Sequence, residues 1–377
     1  MNLLSLFDQQ QVAELKSRQW PLNSVGRDIE QYTMDLMIAD IQPAIIIVSV
    51  SEEGESAFCF NIREALYSLF YPTGRIEIAD AGHFTGTLDE LTDSLLKLRE
   101  YGAIPLVISP NQSVTFCLYQ SYCRQEQTVN LISIDARPDL EDTGGIIGEE
   151  NWLSHLLAFT PNYLFNYSLI GFQSYLTNPE MLKTMQDLNF DMLRLGEIRK
   201  SLTATEPYFR NADIVSVDLS AIRSADCPES LFPGPNGLYA EEACQLIRYA
   251  GMSNKISSCA ISGWSPGVIA ERSVTSLLIA QLIWHFIDGV SGRIDDGVIG
   301  NKEEYTVYKL TAETADGDLL FYKNNRNGRW WMNVPVDELS RSKFDRHHIV
   351  PCTYDDYLQA MKGDIPDTWW RTHLKLS

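Results

Sequence analysis

The sequence predicts an α/β protein in which a parallel sheet is sandwiched between helices. Short apolar, β-branched runs recur through the first 289 residues, and segments with helical apolar spacing alternate with them. Such alternation is typical of a parallel sheet with right-handed crossovers and helices on both faces. After Gly289 the pattern changes to alternating polar and apolar residues, which favours antiparallel strands. We therefore expect an α/β domain over residues 1–289 and a small β-rich C-terminal extension over residues 290–377, packed on it.

The individual elements follow from local patterns. The expected strands of the main domain are 43–50, 75–80, 103–109, 131–139, 164–172, 214–219 and 256–262. The expected helices are 61–70, 88–101, 114–123, 179–201, 241–251 and 271–289, after a helical lead-in over 8–40. Gly102 is well placed to end the helix before it, because glycine readily adopts a positive φ. In the extension, the segments 305–310, 319–323 and 329–334 predict a small antiparallel meander, followed by a short helix around 354–361.

Composition excludes several classes of function. The 377-residue chain has a formal net charge of -20, which argues against nucleic-acid binding because phosphate contacts require a basic surface. No apolar run approaches the roughly 20 residues that span a bilayer, and residues 1–8 do not resemble a signal peptide. The seven cysteines are odd in number and scattered, which favours free thiols in a reducing cytoplasm.

Three aspartates at strand ends mark the candidate site. Asp135 and Asp139 follow the apolar run that begins at Leu131, and Asp218 follows the run that begins at Ile214. Binding groups of parallel α/β sheets collect at the carboxyl ends of the strands, so these side chains are expected to converge. Carboxylates that share one crevice repel each other unless a cation or a proton lies among them.

Three strand ends in order form a recognisable set. They read Asn111-Gln112-Ser113, then Asp135-Ala-Arg137-Pro-Asp139, then Asp218-Leu-Ser220. This order resembles the arginase or ureohydrolase superfamily, which includes agmatinase and formimidoylglutamase and whose sites read G-G-D-H-S, D-A-H-x-D and D-x-D. The segments 72–82, 232–238 and 262–266 resemble further motifs of that family. The resemblance covers roughly residues 40–289.

The resemblance implies an arginase-like fold, oligomers, and two manganese ions that share six protein ligands. In the family, the metals activate a bridging hydroxide that attacks a guanidinium or formimino carbon. Carried over position by position, Asp135, Asp139 and Asp218 survive. The other positions depart from the family pattern: Gln112 and Arg137 stand where it has histidines, and Ser220 stands where it has an aspartate.

These departures favour at most one divalent cation. The remaining Asp135, Asp139 and Asp218, with the side-chain oxygen of Gln112, would form an all-oxygen site that suits Mn²⁺, Mg²⁺ or Ca²⁺. We interpret Arg137, whose guanidinium is permanently charged, as a replacement for the second cation. A two-metal centre is therefore not expected.

Two functional hypotheses follow. One is a pseudoenzyme that has lost dimanganese hydrolysis and keeps the pocket to bind a small molecule or a protein partner. The alternative is a metal-dependent C–N hydrolase of the formimidoylglutamase or agmatinase type with a rebuilt or single-metal site.

Other residues carry weaker signals. Asn111 and Gly263 are expected to line the substrate pocket, and Gly263 aligns with a family glutamate that faces the cationic substrate. His155 is a candidate proton shuttle, although a histidine in such an apolar segment is more often a core residue. His347 and His348 are expected in a solvated loop.

The C-terminal extension contains two tryptophan pairs, Trp330-Trp331 and Trp369-Trp370. They either fasten the extension to the main domain or provide exposed anchors for a partner, because tryptophan is frequent among interface hot spots. The sequence leaves both readings open.

Overall fold

A computed structural model describes residues 3–33, 42–51, 56–142, 144–265, 273–296, 302–311, 317–336 and 344–376. The main domain contains a ten-stranded sheet in the order β1-β4-β3-β5-β10-β9-β6-β7-β8, with β2 also paired to β4. Only β1 runs antiparallel to its neighbour; the other pairings are parallel. The strands are β1 Phe7–Asp8, β2 Glu30–Gln31, β3 Ile45–Val50, β4 Ile78–Phe84, β5 Ile104–Ser109, β6 Val129–Ile134, β7 Leu164–Phe172, β8 Asp191–Arg194, β9 Ile214–Asp218 and β10 Ser258–Ser262.

Helices cover both faces of this sheet, which confirms the predicted fold class. The longer ones are Ser56–Ser68, Leu88–Glu100, Val114–Cys123, Ala240–Gly251 and Val274–Ser291. Shorter helices span Gln10–Lys16, Val25–Asp28, Trp152–Ala158, Pro179–Asp187, Leu195–Ile198 and Glu206–Asn211. The helix Leu88–Glu100 has a capping box at Thr87, and Gly102 just beyond its end has a φ of 81°, as expected for a helix terminator.

Strand β3 shows why two apolar layers form. Its side chains alternate between the faces, so Ile45 and Ile47 pack into one hydrophobic cluster while Ile46 and Val48 pack into the other. A strand buried on both faces therefore appears in the sequence as a continuous apolar run.

The helix Val274–Ser291 is, among the described residues, the one helix long and apolar enough by composition to cross a membrane. However, 61% of it is buried inside the protein. It packs against the helices Ala240–Gly251 and Ser56–Ser68. Its apolar character therefore serves the core of the main domain.

The C-terminal extension forms a second, antiparallel sheet in the order β11-β12-β13-β14. Its strands are β11 Tyr305–Leu310, β12 Leu319–Asn324, β13 Trp330–Asn333 and β14 Ile349–Cys352, followed by the helices Tyr354–Met361 and Asp367–Leu376. Trp330, Trp331 and Trp369 are buried, whereas Trp370 is 49% exposed. Three of the four tryptophans thus belong to the packed structure.

Polar and aromatic contacts fasten the extension to the main domain. Arg210 is buried and donates hydrogen bonds to the carbonyl oxygens of Trp330 and Cys352, each at 3.2 Å. His347 is also buried and stacks on Phe165, with ring centroids 4.0 Å apart. The expectation of a solvated loop is therefore wrong for His347, because this histidine fills the junction between the two sheets.

Four strands depart from the sequence-based expectation. The two-residue strands β1 and β2 form at the start of the lead-in over 8–40 and within it, although that segment was expected to be helical. The other two are β8 and β14. Strand β8 lies inside the segment 179–201 that was expected to be helical, and β14 adds a fourth strand to the expected three-stranded meander. Both are four-residue strands at the edge of a sheet, and each pairs with a neighbour distant in sequence, β7 or β13. Such short strands form through that pairing and carry only a weak local signal.

Candidate functional site

The sheet order brings the three predicted strand ends together. Strands β5, β10, β9 and β6 are consecutive neighbours, and their register pairs Ser262 with both Ser109 and Asp218. Their carboxyl ends therefore lie side by side. Gln112 follows β5, Gly263 follows β10, Asp218 ends β9, and Asp135 follows β6.

Asp135 and Asp218 are both buried and both hydrogen-bonded by Ser220. The Ser220 hydroxyl donates to Asp135 Oδ1 at 3.2 Å, and the Ser220 backbone N–H donates to Asp218 Oδ1 at 2.6 Å. The Arg137 backbone N–H also donates to Asp135 Oδ1, at 3.1 Å. Ser220 thus connects the two aspartates as a hydrogen-bond donor, whereas the aspartate expected at this position in the family would be an acceptor.

Asp139 is buried beside these groups, and both of its oxygens have protein partners. The indole N–H of buried Trp152 donates to Oδ2 at 2.9 Å, and Arg137 Nε lies 3.5 Å from Oδ1. The Trp152–Asp139 bond also fixes the helix Trp152–Ala158 against the site.

Arg137 lies at the rim of the carboxylate group. Its Cζ is 3.8 Å from the centroid of the Phe232 ring, and its terminal nitrogen lies 3.1 Å from the Glu150 carboxylate. Burial raises the pKa values of Asp135, Asp139 and Asp218, and the charge of Arg137 opposes that rise without cancelling it. The guanidinium therefore offsets part of the negative charge of the site while it stacks on an aromatic ring.

Glu149 is a fourth carboxyl group of the site that sequence reasoning missed. Its Oε1 accepts a hydrogen bond of 2.7 Å from the backbone N–H of Gln112. Burial, followed by the charge of Asp218, raises its pKa to about 9. Glu149 lies in an irregular segment between β6 and the helix at Trp152, so no local pattern indicated its role.

The electrostatics of the site favour bound protons or a cation. Burial, followed by the charge of Asp218, raises the pKa of Asp135 to about 7. Burial and the neighbouring carboxylates raise the pKa of Asp139 well above its ordinary value, and burial raises that of Asp218. These carboxyl groups are close enough to influence one another, as the sequence predicts, and their full ionisation is unfavourable.

Gln112 turns its side chain towards the strands of the sheet. Its amide nitrogen donates to the hydroxyls of Ser133 and Ser216, each at 3.3 Å. Among the described residues, its buried Oε1 and the buried Oδ2 of Asp135 have no hydrogen-bond donor at ordinary distance and angle, although the Gln112 side chain lies close enough to Asp135 to lower the pKa of that carboxyl group. These two oxygens are the positions where the site has unused acceptor capacity.

Gly263 is required by the close approach of Asp218. Its φ is 91°, and a Cβ built on it would lie less than 3.0 Å from all three carboxyl atoms of Asp218. No side chain fits at this position without displacing that carboxylate. Asp218 therefore occupies the space that a side chain at position 263 would need, including the glutamate that the family resemblance implies there.

Asn111 and His155 contribute less to the described site. The Asn111 side chain accepts a hydrogen bond from the Ser113 backbone N–H at 2.8 Å, which shapes the turn after β5. His155 lies on the helix Trp152–Ala158, and no described contact joins it to Asp135, Asp139 or Asp218. Its Nε2 is buried and has no hydrogen-bond partner among the described residues. The proton-shuttle role of His155 stays a prediction.

Three of the positions that the family resemblance implies as manganese ligands carry Gln112, Arg137 and Ser220. Arg137 and Ser220 bring a positive charge and hydrogen-bond donors to positions where metal ligands are expected. Across the described ranges, no group of three or more His, Cys, Asp or Glu side chains is arranged to hold a metal ion. The unused oxygens of Asp135 and Gln112 still mark a place for one cation or for protons.

The fold and site together define an α/β protein that gathers buried carboxyl groups at the carboxyl edge of a parallel sheet. The chain belongs to the arginase family, whose family model matches residues 51–288. The resemblance seen in the sequence is confirmed. Pro266, in one of the motifs that carried it, lies outside the described residues.

Relatives and solved structures agree with this assignment. The human mitochondrial guanidino acid hydrolase is 23% identical over 248 residues, which are 57% of this chain and 65% of that protein. This chain therefore matches just under two thirds of the length of that relative.

Two solved structures have a similar fold. Trypanosoma cruzi formiminoglutamase, solved with manganese, has a TM-score of 0.58 at 19% identity and covers 76% of this chain and 100% of its own. Formimidoylglutamase from Bacillus subtilis has a TM-score of 0.62 at 15% identity and covers 73% and 94%. At these identities the likeness establishes the arginase-like fold.

Proposed function

We propose that this protein is a divergent member of its family that has lost dimanganese hydrolysis and keeps the carboxylate site for binding. The observation that carries the proposal is Arg137, which contacts Asp139 where the family pattern has a metal-binding histidine. A guanidinium keeps its proton at all physiological pH values and cannot ligate a metal.

The hydrogen bonds of the site support the same proposal. Ser220 and the Arg137 backbone donate to Asp135 Oδ1, and Trp152 donates to Asp139 Oδ2. These oxygens are therefore already satisfied without metal. A bridging water without two metals lacks most of what lowers its pKa from about 16 towards about 7, so the family's nucleophile is not expected to form.

The charge of the site favours a particular class of ligand. Four carboxyl groups, at Asp135, Asp139, Glu149 and Asp218, are opposed directly by one guanidinium, that of Arg137. A ligand that brings positive charge or several N–H donors would complete this balance. We therefore propose that the site binds a small molecule with a guanidinium or amidinium group. A protein partner that inserts an arginine side chain would present the same chemical group to the site.

Metal content and activity test the proposal together. The protein as purified, and after incubation with Mn²⁺, is measured by elemental analysis and assayed on agmatine, arginine and formiminoglutamate. A triple variant with Gln112→His, Arg137→His and Ser220→Asp, which restores the family ligands, serves as the matched comparator. We expect the native protein to hold fewer than two manganese ions per chain and to give no metal-dependent turnover. Two tightly bound manganese ions or substantial turnover in the native protein would contradict the proposal.

A second candidate function is a metal-dependent C–N hydrolase with a rebuilt single-cation site. The unused oxygens Asp135 Oδ2 and Gln112 Oε1, together with the buried carboxyl of Glu149, favour it. All-oxygen sets of this kind suit Mn²⁺, Mg²⁺ or Ca²⁺. Under this alternative, one equivalent of cation binds, activity depends on it, and Glu149→Gln weakens both. Under the first proposal, Glu149→Gln changes neither metal content nor turnover.

Location and assembly are also proposals. We propose a cytoplasmic protein, because all seven cysteines are free thiols and six of them are buried. We further propose a homo-oligomer without nucleic-acid or membrane partners. Light scattering on a sizing column measures the oligomer directly, and a monomer at micromolar concentration would contradict that part.

A further inference from the structure

A cavity lies at the edge of the sheet opposite the carboxylate site. Its volume is about 190 Å³, and it is bounded by the amino ends of β6, β7 and β8 and by the C-terminal extension. The polar side chains that matter here are Asn166, Asp191, Tyr208, Arg371 and Lys375. Because β6 is six residues long, about 20 Å of strand separates this cavity from Asp135.

The one buried carboxylate of the cavity already has its partners. Asp191 Oδ2 accepts hydrogen bonds from the Asn166 amide at 2.7 Å and from the Ser168 hydroxyl at 3.1 Å. Arg371 donates to Asp191 Oδ1 at 2.8 Å. A second carboxylate on the cavity wall, Asp356, accepts from the backbone N–H and hydroxyl of Thr353 at the start of a helix. Little acceptor capacity therefore remains for a ligand.

The hydrogen-bond donors that line the cavity have fewer protein partners than its carboxylate acceptors. The Lys375 ammonium donates to the neutral amide oxygen of Asn166 and forms no ion pair with any described residue. The Lys375 Nζ also lies 5.6 Å from the centroid of the Phe190 ring. Because an ammonium group has three hydrogens, donor capacity remains for a ligand. Arg371 uses two of its nitrogens in ion pairs with Asp191 and Asp367 and keeps further N–H groups. Burial raises the pKa of Tyr208, so its hydroxyl keeps its proton, and this hydroxyl already has a hydrogen-bond partner in Thr368 on the cavity wall.

The geometry points to a binding site for a small oxyanion, a carboxylate or a phosphate, held by Lys375 with help from Arg371. An ammonium and a guanidinium group that line one cavity are donors from which carboxylates and phosphates accept. A cavity of about 190 Å³ has room for a small anion such as inorganic phosphate or a short monocarboxylate.

The electrostatics of Lys375 agree with this assignment. Burial lowers its pKa to about 8, an effect that the charge of Asp191 opposes and the charge of Arg371 assists. A partly buried ammonium in this condition is stabilised by a bound anion.

Calorimetric titration of the full chain tests the proposal. Sodium phosphate and sodium acetate are titrated separately at constant ionic strength, with chloride as the balancing anion. We expect saturable binding of one anion per chain, at least about tenfold weaker in Lys375→Gln because a charge-assisted hydrogen bond is lost. Lys362→Gln, which removes an exposed lysine from the same extension, is the matched control and should bind like the wild type. Tighter binding of phosphate identifies a phosphate site, and tighter binding of acetate identifies a carboxylate site.

A second measurement does not depend on the stability of a variant. Lys375 in the wild-type protein is acetylated chemically with and without phosphate or acetate, and its modification is quantified by peptide mass spectrometry. We expect the anion to slow acetylation of Lys375 and not of Lys362. No saturable binding of either anion up to about 10 mM, or equal affinity in the wild type and a folded Lys375→Gln variant, would overturn the proposal.

Discussion

The close approach of Asp218 to Gly263 gives the sharpest test of the site geometry. The change is Gly263→Ala, which adds one methyl group where φ is 91°. A side chain at positive φ costs about 1–2 kcal/mol. The new Cβ would also lie less than 3.0 Å from three atoms of a buried carboxyl group, and overpacking of this kind costs about 1–3 kcal/mol. We therefore expect a loss of about 2–5 kcal/mol in the free energy of unfolding.

Gly102→Ala is the matched control. Gly102 has a φ of 81°, but a Cβ there would meet nothing within 4 Å. Gly102→Ala should therefore lower the free energy of unfolding only by the cost of the positive φ, about 1–2 kcal/mol. Replacing glycine by alanine also makes the unfolded chain less flexible, which stabilises the folded state. This stabilisation is similar in both variants, so it cancels in the comparison.

Urea unfolding followed by circular dichroism measures both variants, provided that the slopes against denaturant agree. The double variant Gly263→Ala/Asp218→Ala should recover most of the difference, because it removes the overlapping carboxyl group. Equal losses in Gly263→Ala and Gly102→Ala would refute the reasoning that Asp218 fills the space beside Gly263.

Three further predictions concern other parts of the chain. Burial raises the pKa of Glu149 from 4.5 to about 9, so between these pH values the folded protein holds a proton that the unfolded chain releases. The contribution of protonated Glu149 to the free energy of unfolding is therefore largest below pH 4.5 and is lost as the pH rises towards 9. Glu149→Gln should flatten that decline in urea midpoints, and an unchanged pH profile would contradict it. Arg210→Ala removes the bonds to two carbonyl oxygens of the extension and should cost about 2–4 kcal/mol, with faster proteolytic release of the extension; unchanged cleavage would contradict it. Trp369→Ala should cost about 3–5 kcal/mol and Trp370→Ala within about 0.5 kcal/mol, and the reverse order in thermal unfolding would show that Trp370 is the packed residue.

The architecture was predictable because its signals are local. Strand β3 appears in the sequence as Ile45-Ile-Ile-Val-Ser-Val50, and only a strand covered on both faces buries such a run completely. The helix Leu88–Glu100 begins at a capping residue and ends before a glycine with positive φ. Strand β8 was missed because its four residues form a strand only through pairing with β7, which local sequence does not encode.

The candidate site was predictable to the extent that it follows strand ends. Asp135 and Asp218 could be expected to meet because the carboxyl ends of parallel strands lie along one edge of the sheet. Glu149 could not be expected there, because it reaches the site through an irregular segment whose path depends on long-range packing. Its contact with the backbone of Gln112 joins residues 37 positions apart in sequence.

The sequence by itself indicated the family and the strand ends, and it predicts that Gln112, Arg137 and Ser220 replace three family ligands. Residue identity is enough for such conclusions, because an arginine or serine cannot do the chemistry of a ligating histidine or aspartate. Only the tertiary structure decided where these replacements point. Ser220 donates to Asp135, Arg137 stacks on Phe232, and Asp218 occupies the space beside Gly263. Those contacts depend on how separate segments pack, which is a property of the whole fold and not of any one motif.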